Sequence, residues 1–235
     1  MYKRILLKLS GEALEGKRSF GIDPDALKDI AYELIEISRK GVEIGIVVGG
    51  GNIFRGLRCG EYGFDRVVAD YMGMLATVIN CLALSQVIRS LGMKARVMSA
   101  LEIKGVTEPF TKDLAIDCLS NKQILLFAYG TGNPFFTTDT AAVLRALEIN
   151  AEILLKGTKV EGVYSRDPMK DENAVFFESL DYNTFLKNRL GVLDLTAVSL
   201  AMAYNLPIIV FNMQKKGNLI KIIDEEKVGT IIKGE

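Results

Sequence analysis

The stretch IVVGGGNIFRG, residues 46–56, joins a run of β-branched residues to three consecutive glycines, and Arg55 follows four residues after the last glycine. The β-branched run predicts a buried strand. Glycines directly after a strand let the backbone approach a ligand closely and take positive φ without strain. Because the amides of such a turn can converge on an anion, the stretch predicts a strand that ends at an anion-binding loop.

The rest of the chain alternates strand patterns with helix patterns. Apolar runs predict strands at residues 4–10, 42–48, 95–98, 124–129, 152–155 and 207–211. Apolar residues at helical spacing predict helices at residues 24–40, 65–91, 112–119 and 193–204, the first of them capped by Asp23 and opened by Pro24. Strands separated by helices indicate an α/β fold with a mostly parallel sheet covered on both faces.

Glycines follow three of the predicted strands. Gly11 follows the first, Gly49 to Gly51 follow the second, and Gly130 and Gly132 follow the strand at 124–129. Each cluster taken alone could serve only a tight turn. In a parallel sheet, however, all three lie at the edge formed by the carboxyl ends of the strands, where ligands bind. Their convergence therefore favours a ligand site.

Two familiar phosphate motifs are approached but not completed. GEALEGKR, residues 11–18, begins like a P-loop, but Arg18 stands where Ser or Thr would hold Mg²⁺. GTGNPF, residues 130–135, begins like a dinucleotide fingerprint, but Phe135 replaces the third glycine. The sequence therefore supports neither a P-loop NTPase nor a Rossmann dehydrogenase.

Composition excludes several function classes. The chain has no histidine, so mechanisms that need imidazole are excluded, whereas phosphoryl transfer relies mainly on positioning and charge neutralisation. Lys plus Arg equal Asp plus Glu at 29 each, which makes nucleic acid an unlikely partner. Three cysteines, Cys59, Cys81 and Cys118, show no metal-ligand spacing, and they fit a reducing cytoplasm better than a disulfide scaffold.

Five motifs together resemble the bacterial uridylate kinases, a family with the amino acid kinase fold. They are KLSGEAL (8–14), GGGNIFRG (49–56), DYMGMLAT (70–77), GTGNPFFTTD (130–139) and KGTKVEGVYSRDP (156–168). The resemblance covers essentially the whole chain. It implies a single three-layer αβα domain over 1–235, with a UMP-binding and oligomerising half at about 1–150 and an ATP-binding half at about 151–235.

The resemblance implies transfer of a phosphoryl group from ATP to UMP, giving ADP and UDP, with Mg²⁺ bridging phosphates. The phosphate of UMP is already anionic, so the reaction needs fixed positive charge more than a general base. Two alternatives remain open at this point. One is a related kinase that acts on a carboxylate or carbamate, and the other is a catalytically silent sensor of uridine nucleotides.

Site residues follow from the resemblance position by position. The catalytic group comprises Lys8, Arg55, Asp139 and Lys156, with Asp139 orienting the two lysines. The ATP-binding positions are Lys8, Leu9, Ser10, Gly11, Gly51, Arg55, Thr158, Tyr164 and Asp167. The UMP-binding positions are Gly50, Asp70, Thr131, Gly132, Asn133, Pro134, Phe135, Phe136, Thr137 and Thr138.

Some of these residues have ordinary structural interpretations. Lys8 and Lys156 could be solvated strand-end lysines, and Asp139 could be a first-turn acid of a helix. Asp70, assigned by resemblance to the UMP ribose, could be a surface charge. Phe135 and Phe136 are predicted to be core or loop anchors rather than rings that stack on the base. Tyr164 could serve packing alone.

The apolar segment 72–84 lies within the long predicted helix and is shorter than the roughly 20 residues that span a bilayer, so no membrane association is expected. A helix that is apolar nearly all round is buried in a core or against another subunit. The family resemblance implies a homohexamer, activated by GTP and inhibited by UTP. Arg89 and Arg96 match positions that bind GTP, but Ser85 replaces a further family arginine, so we expect a weakened GTP response.

Overall fold

The computed structural model describes residues 1–54 and 63–234, which form a central sheet between two helical layers. In chain order the strands are β1 (Arg4–Leu9), β2 (Glu43–Val48), β3 (Ala95–Ser99), β4 (Glu108–Pro109), β5 (Ile124–Ala128), β6 (Ile153–Thr158), β7 (Val163–Tyr164), β8 (Phe176–Phe177), β9 (Ser179–Asp181), β10 (Ile208–Asn212) and β11 (Thr230–Lys233). Nine of them make one sheet, in the order β4-β3-β5-β2-β1-β6-β10-β11-β9. Its strand pairs are parallel except β10–β11, which confirms the mostly parallel sheet.

Seven α-helices lie within the described ranges. They are α1 (Pro24–Arg39), α2 (Arg66–Ser90), α3 (Lys112–Ser120), α4 (Thr138–Glu148), α5 (Tyr182–Lys187), α6 (Leu195–Ala203) and α7 (Asn218–Ile223). Helices α1, α2 and α7 share one core with the side chains on one face of the sheet, and α3 to α6 share a second core with the other face. This arrangement confirms the three-layer αβα sandwich.

The alternation of side chains along β1 and β6 decides which residues face the site. In β1, Ile5 and Leu7 belong to the core of the first face, whereas Leu6 belongs to the second. Because the side-chain period of a strand is two, Lys8 shares its face with Leu6, and Lys156 shares its face with Leu154. Both lysines therefore lie on the side covered by α4.

The start of α1 follows the prediction. Asp23 accepts hydrogen bonds from the amides of Asp25 and Ala26, at 2.8 and 3.2 Å, and Pro24 occupies the first helical position. Both features stabilise a helix N-terminus because they satisfy or remove unpaired amide donors.

Helix α2 corrects the argument from length. The apolar segment 72–84 is short, but the helix around it has 25 residues, and by length and composition it is the one described helix that could cross a membrane. It packs instead on α1, β2, β3 and β5 as a layer of the sandwich. Two of its buried polar residues bond across to neighbouring elements: Thr77 Oγ1 accepts from the amide of Tyr129 at 2.9 Å, and Asn80 Nδ2 donates to the carbonyl of Gly49 at 2.7 Å.

Candidate active site

Lys8 and Lys156 occupy the same register position on the adjacent strands β1 and β6. Asp139, in the first turn of α4, contacts both ammonium groups: its Oδ1 lies 2.8 Å from Lys8 Nζ, and its Oδ2 lies 2.5 Å from Lys156 Nζ. Lys156 Nζ also donates to the carbonyl of Val192. All three side chains are buried, with residue exposures of 7 to 9%. Lys8 and Lys156 are therefore not solvated strand-end lysines, whereas Asp139 is, as its alternative had it, an acid in the first turn of a helix. The catalytic roles of the three stay predictions.

The charges of this triad shift the pKa of Asp139 and that of Lys156. Burial alone would raise the pKa of Asp139, but the ammonium groups of Lys8 and Lys156 outweigh burial and hold it well below the usual range. Burial and the charge of Lys8 together lower the pKa of Lys156 to about 8, although Asp139 and Asp194 oppose that shift. Asp139 is thus ionised at neutral pH and poorly suited to accept a proton. One net positive charge remains when both lysines are protonated.

Hydrogen bonds at the N-terminus of α4 hold the helix turn that carries Asp139 in place. Thr137 caps the helix, and its Oγ1 accepts from the amides of Asp139 and Thr140, at 3.1 and 3.4 Å. Asp194 in turn accepts from the hydroxyls of Thr137 and Thr140 and, at 2.8 Å, from the amide of Ala197, where it caps α6. Asp194 is a site residue that sequence reasoning missed, because an aspartate before an apolar helix indicates only a cap.

The glycine loops approach each other closely, as predicted, but not through positive φ. Gly11 and Gly49 to Gly51 have no φ in the left-handed region. Space is the constraint instead: a Cβ on Gly11 would lie 2.7 Å from the carbonyl oxygen of Gly49, and one on Gly50 would lie 2.7 Å from that of Gly73 in α2. In the third cluster, Gly130 and Gly132 do require glycine conformations, with φ of +56° and +83°.

A cavity of about 150 Å³ brings together part of the predicted UMP site. Its described lining includes Gly50, Asp70, Phe136, Thr137 and Thr138. Asp70 is not a free surface charge: Oδ2 accepts from the amide of Phe135 at 2.8 Å, and the carboxylate pairs with Arg66 Nε at 2.9 Å. The carboxylate of Asp70 on α2 therefore contacts the loop after β5 directly.

The remaining predicted UMP residues lie beside this cavity rather than along its wall. Thr131, Gly132, Asn133, Pro134 and Phe135 do not line it. Phe135 and Phe136 are 67 and 51% exposed, so neither is part of the core, and of the predicted core or loop anchors only the loop role stays a prediction. The physical reason is that Phe135 adopts φ of +71° and turns its ring outward beneath the guanidinium of Arg66, 5.5 Å from the ring centre.

The predicted ATP residues extend from the triad toward the hairpin of β7 and β8, which pair antiparallel as a separate two-stranded sheet. Leu9 is fully buried, so only its backbone could meet a ligand, and Ser10 accepts from the amide of Glu12 at 3.3 Å. Thr158 ends β6 with its hydroxyl directed to the carbonyl of Val160, at 2.7 Å. Tyr164 lines a cavity of about 850 Å³ between the hairpin and α7, whereas Asp167 does not line it.

Two of the ATP-side residues also have structural contacts. Tyr164 packs edge-on against Phe176, with ring centres 5.3 Å apart. Asp167 accepts from the amide of Met169 at 3.0 Å and lies 3.6 Å from Lys170 Nζ. The packing alternative for Tyr164 is therefore compatible with the structure. Arg55, predicted for the catalytic and ATP sites, and Cys59 lie outside the described residues.

Arg89 and Arg96 line one further cavity, of about 500 Å³, between the end of α2 and β3. Arg96 is not merely solvated: Nε lies 2.8 Å from Glu108 Oε1, and Nη1 donates to Cys118 Sγ at 3.1 Å. The bond to the Cys118 thiol and the pairing with Glu108 raise the pKa of Arg96. Ser85 is fully buried and does not line this cavity, but its Oγ donates to the carbonyl of Leu82 and accepts from Arg89 Nη2 at 3.4 Å.

Comparison with known proteins places this fold and site in a family. The model of the amino acid kinase family matches residues 3–212, and the chain belongs to that family. It is 52% identical to a uridylate kinase of Bacteroides thetaiotaomicron over 231 residues, which cover 98% of each protein. It is 50% identical to a uridylate kinase of Saccharophagus degradans over 234 residues, covering 100% of this chain and 95% of the relative.

A solved structure extends the similarity to three dimensions. The UMP kinase of Bacillus anthracis superposes with a TM-score of 0.96 at 40% identity, over 100% of this chain and 97% of that one. Within the amino acid kinase family, the chain is thus a relative of the bacterial uridylate kinases, which are phosphotransferases.

Proposed function

We propose that the chain is a UMP kinase that transfers the γ-phosphoryl group of ATP to UMP, in the synthesis of pyrimidine nucleotides. The observation that carries the proposal is the buried Lys8–Asp139–Lys156 triad, at the strand ends where the glycine loops meet. The names of the relatives supply the nucleotides.

The triad suits the electrostatic problem of this reaction. Two phosphates must approach although both are anions, and preorganised cations relieve that repulsion in a site that excludes water. Lys8 and Lys156 cannot move apart easily, because Asp139 holds both ammonium groups on one carboxylate. Thus Asp139 orients the cations, and Lys8 and Lys156 contact the ATP phosphates and the transferred group. Arg55 completes the cationic set in this proposal.

The two nucleotides lie on opposite sides of the triad in this proposal. UMP occupies the small cavity bordered by Gly50, Asp70 and Thr138, with Asp70 accepting from the ribose hydroxyls. ATP extends from Gly11 and Lys8 toward Thr158 and Tyr164. Residues at about 1–150 then form the UMP half and residues at about 151–235 the ATP half, and the pairing of β1 with β6 joins them.

Mg²⁺ fits this site as an ion carried by ATP. In the ranges 1–54 and 63–234, no group of three or more His, Cys, Asp or Glu side chains is placed to hold a metal. Mg²⁺ commonly binds through substrate phosphates and water with few protein ligands. Bound in that way, it supplies further neutralisation of phosphate charge, while Lys8, Lys156 and Asp139 orient the reacting groups.

The proposal extends to assembly and regulation of the protein. Helix α2 exposes an apolar stripe whose members are 40 to 52% exposed: Val68, Tyr71, Leu75 and Ile79. Its spacing suits a contact between subunits of a homohexamer, with GTP as activator and UTP as inhibitor. GTP occupies the cavity of Arg89 and Arg96. Cys81 and Cys118 are buried and form no disulfide within the described residues, which suits the cytoplasm.

An acceptor assay tests the proposal against its two alternatives. Purified protein with Mg²⁺ and ATP is given UMP, acetate, aspartate or carbamate, and ADP release is followed. We expect ADP with UMP alone, because Asp70 and the loop after β5 border the acceptor cavity. Turnover of a carboxylate or carbamate would favour another kinase of the family. UMP binding without ADP release would favour a nucleotide sensor.

A further inference from the structure

Two buried asparagines form a reciprocal amide pair behind the glycine loop. Asn52 Nδ2 donates to Asn80 Oδ1 at 3.0 Å, and Asn80 Nδ2 donates to Asn52 Oδ1 at 2.7 Å. Asn52 is 2% exposed and Asn80 is fully buried. Neither side chain is therefore accessible to a nucleotide, and any influence on the reaction must pass through the backbone that the pair holds.

Each amide uses its second donor to hold a different backbone segment. Asn80 Nδ2 donates to the carbonyl of Gly49 at 2.7 Å, which ties α2 to the glycine loop. Asn52 Nδ2 donates to the carbonyl of Gly21 at 2.8 Å, and the amide of Gly21 donates back to the carbonyl of Asn52 at 2.8 Å. Both amides thus have every donor satisfied, which makes such a network rigid.

The segment held in this way borders the reacting groups. The amide of Gly49 donates to the carbonyl of Leu9 at 2.8 Å, directly after Lys8 in the chain. A Cβ placed on Gly49 would lie 3.7 Å from Oγ1 of Thr138, the neighbour of Asp139. A Cβ on Gly11 would meet Asn52 Oδ1 itself. The Gly49–Gly51 backbone therefore packs closely against the end of β1 and lies beside the beginning of α4.

We propose that Asn52 and Asn80 are positioning residues for phosphoryl transfer, which set the Gly49–Gly51 backbone relative to Lys8 and Asp139. The inference rests on the proposed function, because it assumes that this backbone faces the phosphates. Displacing a positioning element by about 1 Å can reduce turnover by about a hundredfold. Loss of the pair should therefore impair chemistry beyond its effect on stability.

Kinetics of Asn80→Ala and Asn80→Asp test this role. Asn80→Asp preserves shape but replaces both donors by an oxygen, so it should be impaired as well. The matched control is Val78→Ala, which truncates a buried apolar side chain on the same helix and removes no hydrogen bond. At temperatures where all variants are folded by circular dichroism, we expect kcat of both Asn80 variants to fall at least about tenfold below the control. KM for UMP should change by a smaller factor.

A variant of the second asparagine tests the same role in case the Asn80 variants do not fold. Asn52→Ser shortens the other amide and leaves the bond from Asn80 to Gly49 in place. It should show the same division between kcat and KM. The double variant Asn52→Ser/Asn80→Ala should be no more than about threefold worse than Asn80→Ala, because residues that act as a unit are not additive.

The outcomes separate this inference from the proposed function. Turnover of the folded asparagine variants equal to that of Val78→Ala would overturn the positioning role and leave the kinase assignment intact. Lys8→Ala is assayed in parallel, and near-normal turnover of that variant would instead defeat the proposed site.

Discussion

Lys8 and Lys156 lie side by side at one register position of neighbouring parallel strands, and a single carboxylate, Asp139, contacts both ammonium groups. Two like charges in a buried site would repel each other strongly without that carboxylate. The arrangement concentrates positive charge where three glycine-bearing loops converge. The function of the protein depends, in our account, on this one cluster.

Removing one cation should impair turnover far more than stability or binding of UMP. For Lys8→Ala we expect kcat to fall by about 10³ or more, the scale on which cationic stabilisation acts in phosphoryl transfer. Steady-state ADP release measures it. The control is Lys216→Ala, which removes a lysine that is 77% exposed and paired with Asp29 on the surface. Near-normal turnover of Lys8→Ala would show that the lysine is structural.

The depressed pKa of Lys156 predicts a pH dependence. Below about pH 8 the folded protein keeps the ammonium charge, so kcat/KM for MgATP should fall as the pH rises through about 8. Stability should change in the opposite direction. Between about 8 and the usual 10.5 the unfolded chain binds the additional proton, so the contribution of Lys156 to unfolding free energy rises with pH.

Two variants test whether Lys156 causes this fall in kcat/KM, the alkaline limb of the pH profile. Asp194→Asn removes a negative charge that raises the pKa of Lys156, so the fall in kcat/KM should move to lower pH. Lys156→Arg keeps its charge at all accessible pH values and should abolish the limb. A limb that stays near pH 8 in both variants would assign it to another group.

Asp70→Asn should weaken UMP binding more than it slows chemistry. Asparagine can still accept from the amide of Phe135, so the loop stays attached, but the second anionic acceptor is lost. We expect KM for UMP to rise by about tenfold or more, the cost of one charged hydrogen bond, with a smaller change in kcat. Initial rates across a UMP titration measure both. A loss confined to kcat would place Asp70 at the reacting phosphate instead.

Glu108 should restrain the response to GTP. Its carboxylate holds the guanidinium of Arg96 at 2.8 Å, so a triphosphate must compete with it for the same cation. Glu108→Gln should therefore lower the GTP concentration that gives half-maximal activation. Arg96→Ala should abolish activation by GTP. Rates across a GTP titration, with sedimentation to establish the assembly, test both. A hexamer indifferent to GTP would defeat the regulatory proposal but not the assembly.

The sequence predicted the layers of the fold because they depend on periodicity. β1, β2, β5 and α1 are long, apolar in pattern and bounded by caps or glycines, so local rules identify them. The shortest strands, at the two edges of the sheet and in the separate β7–β8 pair, were not predicted. β4, β7, β8 and β9 have only two or three residues each, too few for a pattern, and their positions depend on tertiary packing.

The candidate site divides in a similar way. The family resemblance identified Lys8, Asp139 and Lys156 as site residues. The register of β1 with β6 places the two lysines side by side, and the first turn of α4 brings Asp139 to both. It did not indicate Asp194 or the amides of Asn52 and Asn80, because each of these acts through a residue distant in sequence. The outward turn of Phe135 was also missed, since its positive φ is rare for a residue with a bulky side chain.

Whether the protein is a UMP kinase is best tested with a panel of acceptors at matched concentrations with Mg²⁺ and ATP: UMP, CMP, AMP and GMP. We expect ADP release with UMP at a rate well above that with the other three, and UDP as the second product. Equal turnover of CMP and UMP would rule out a kinase specific for UMP.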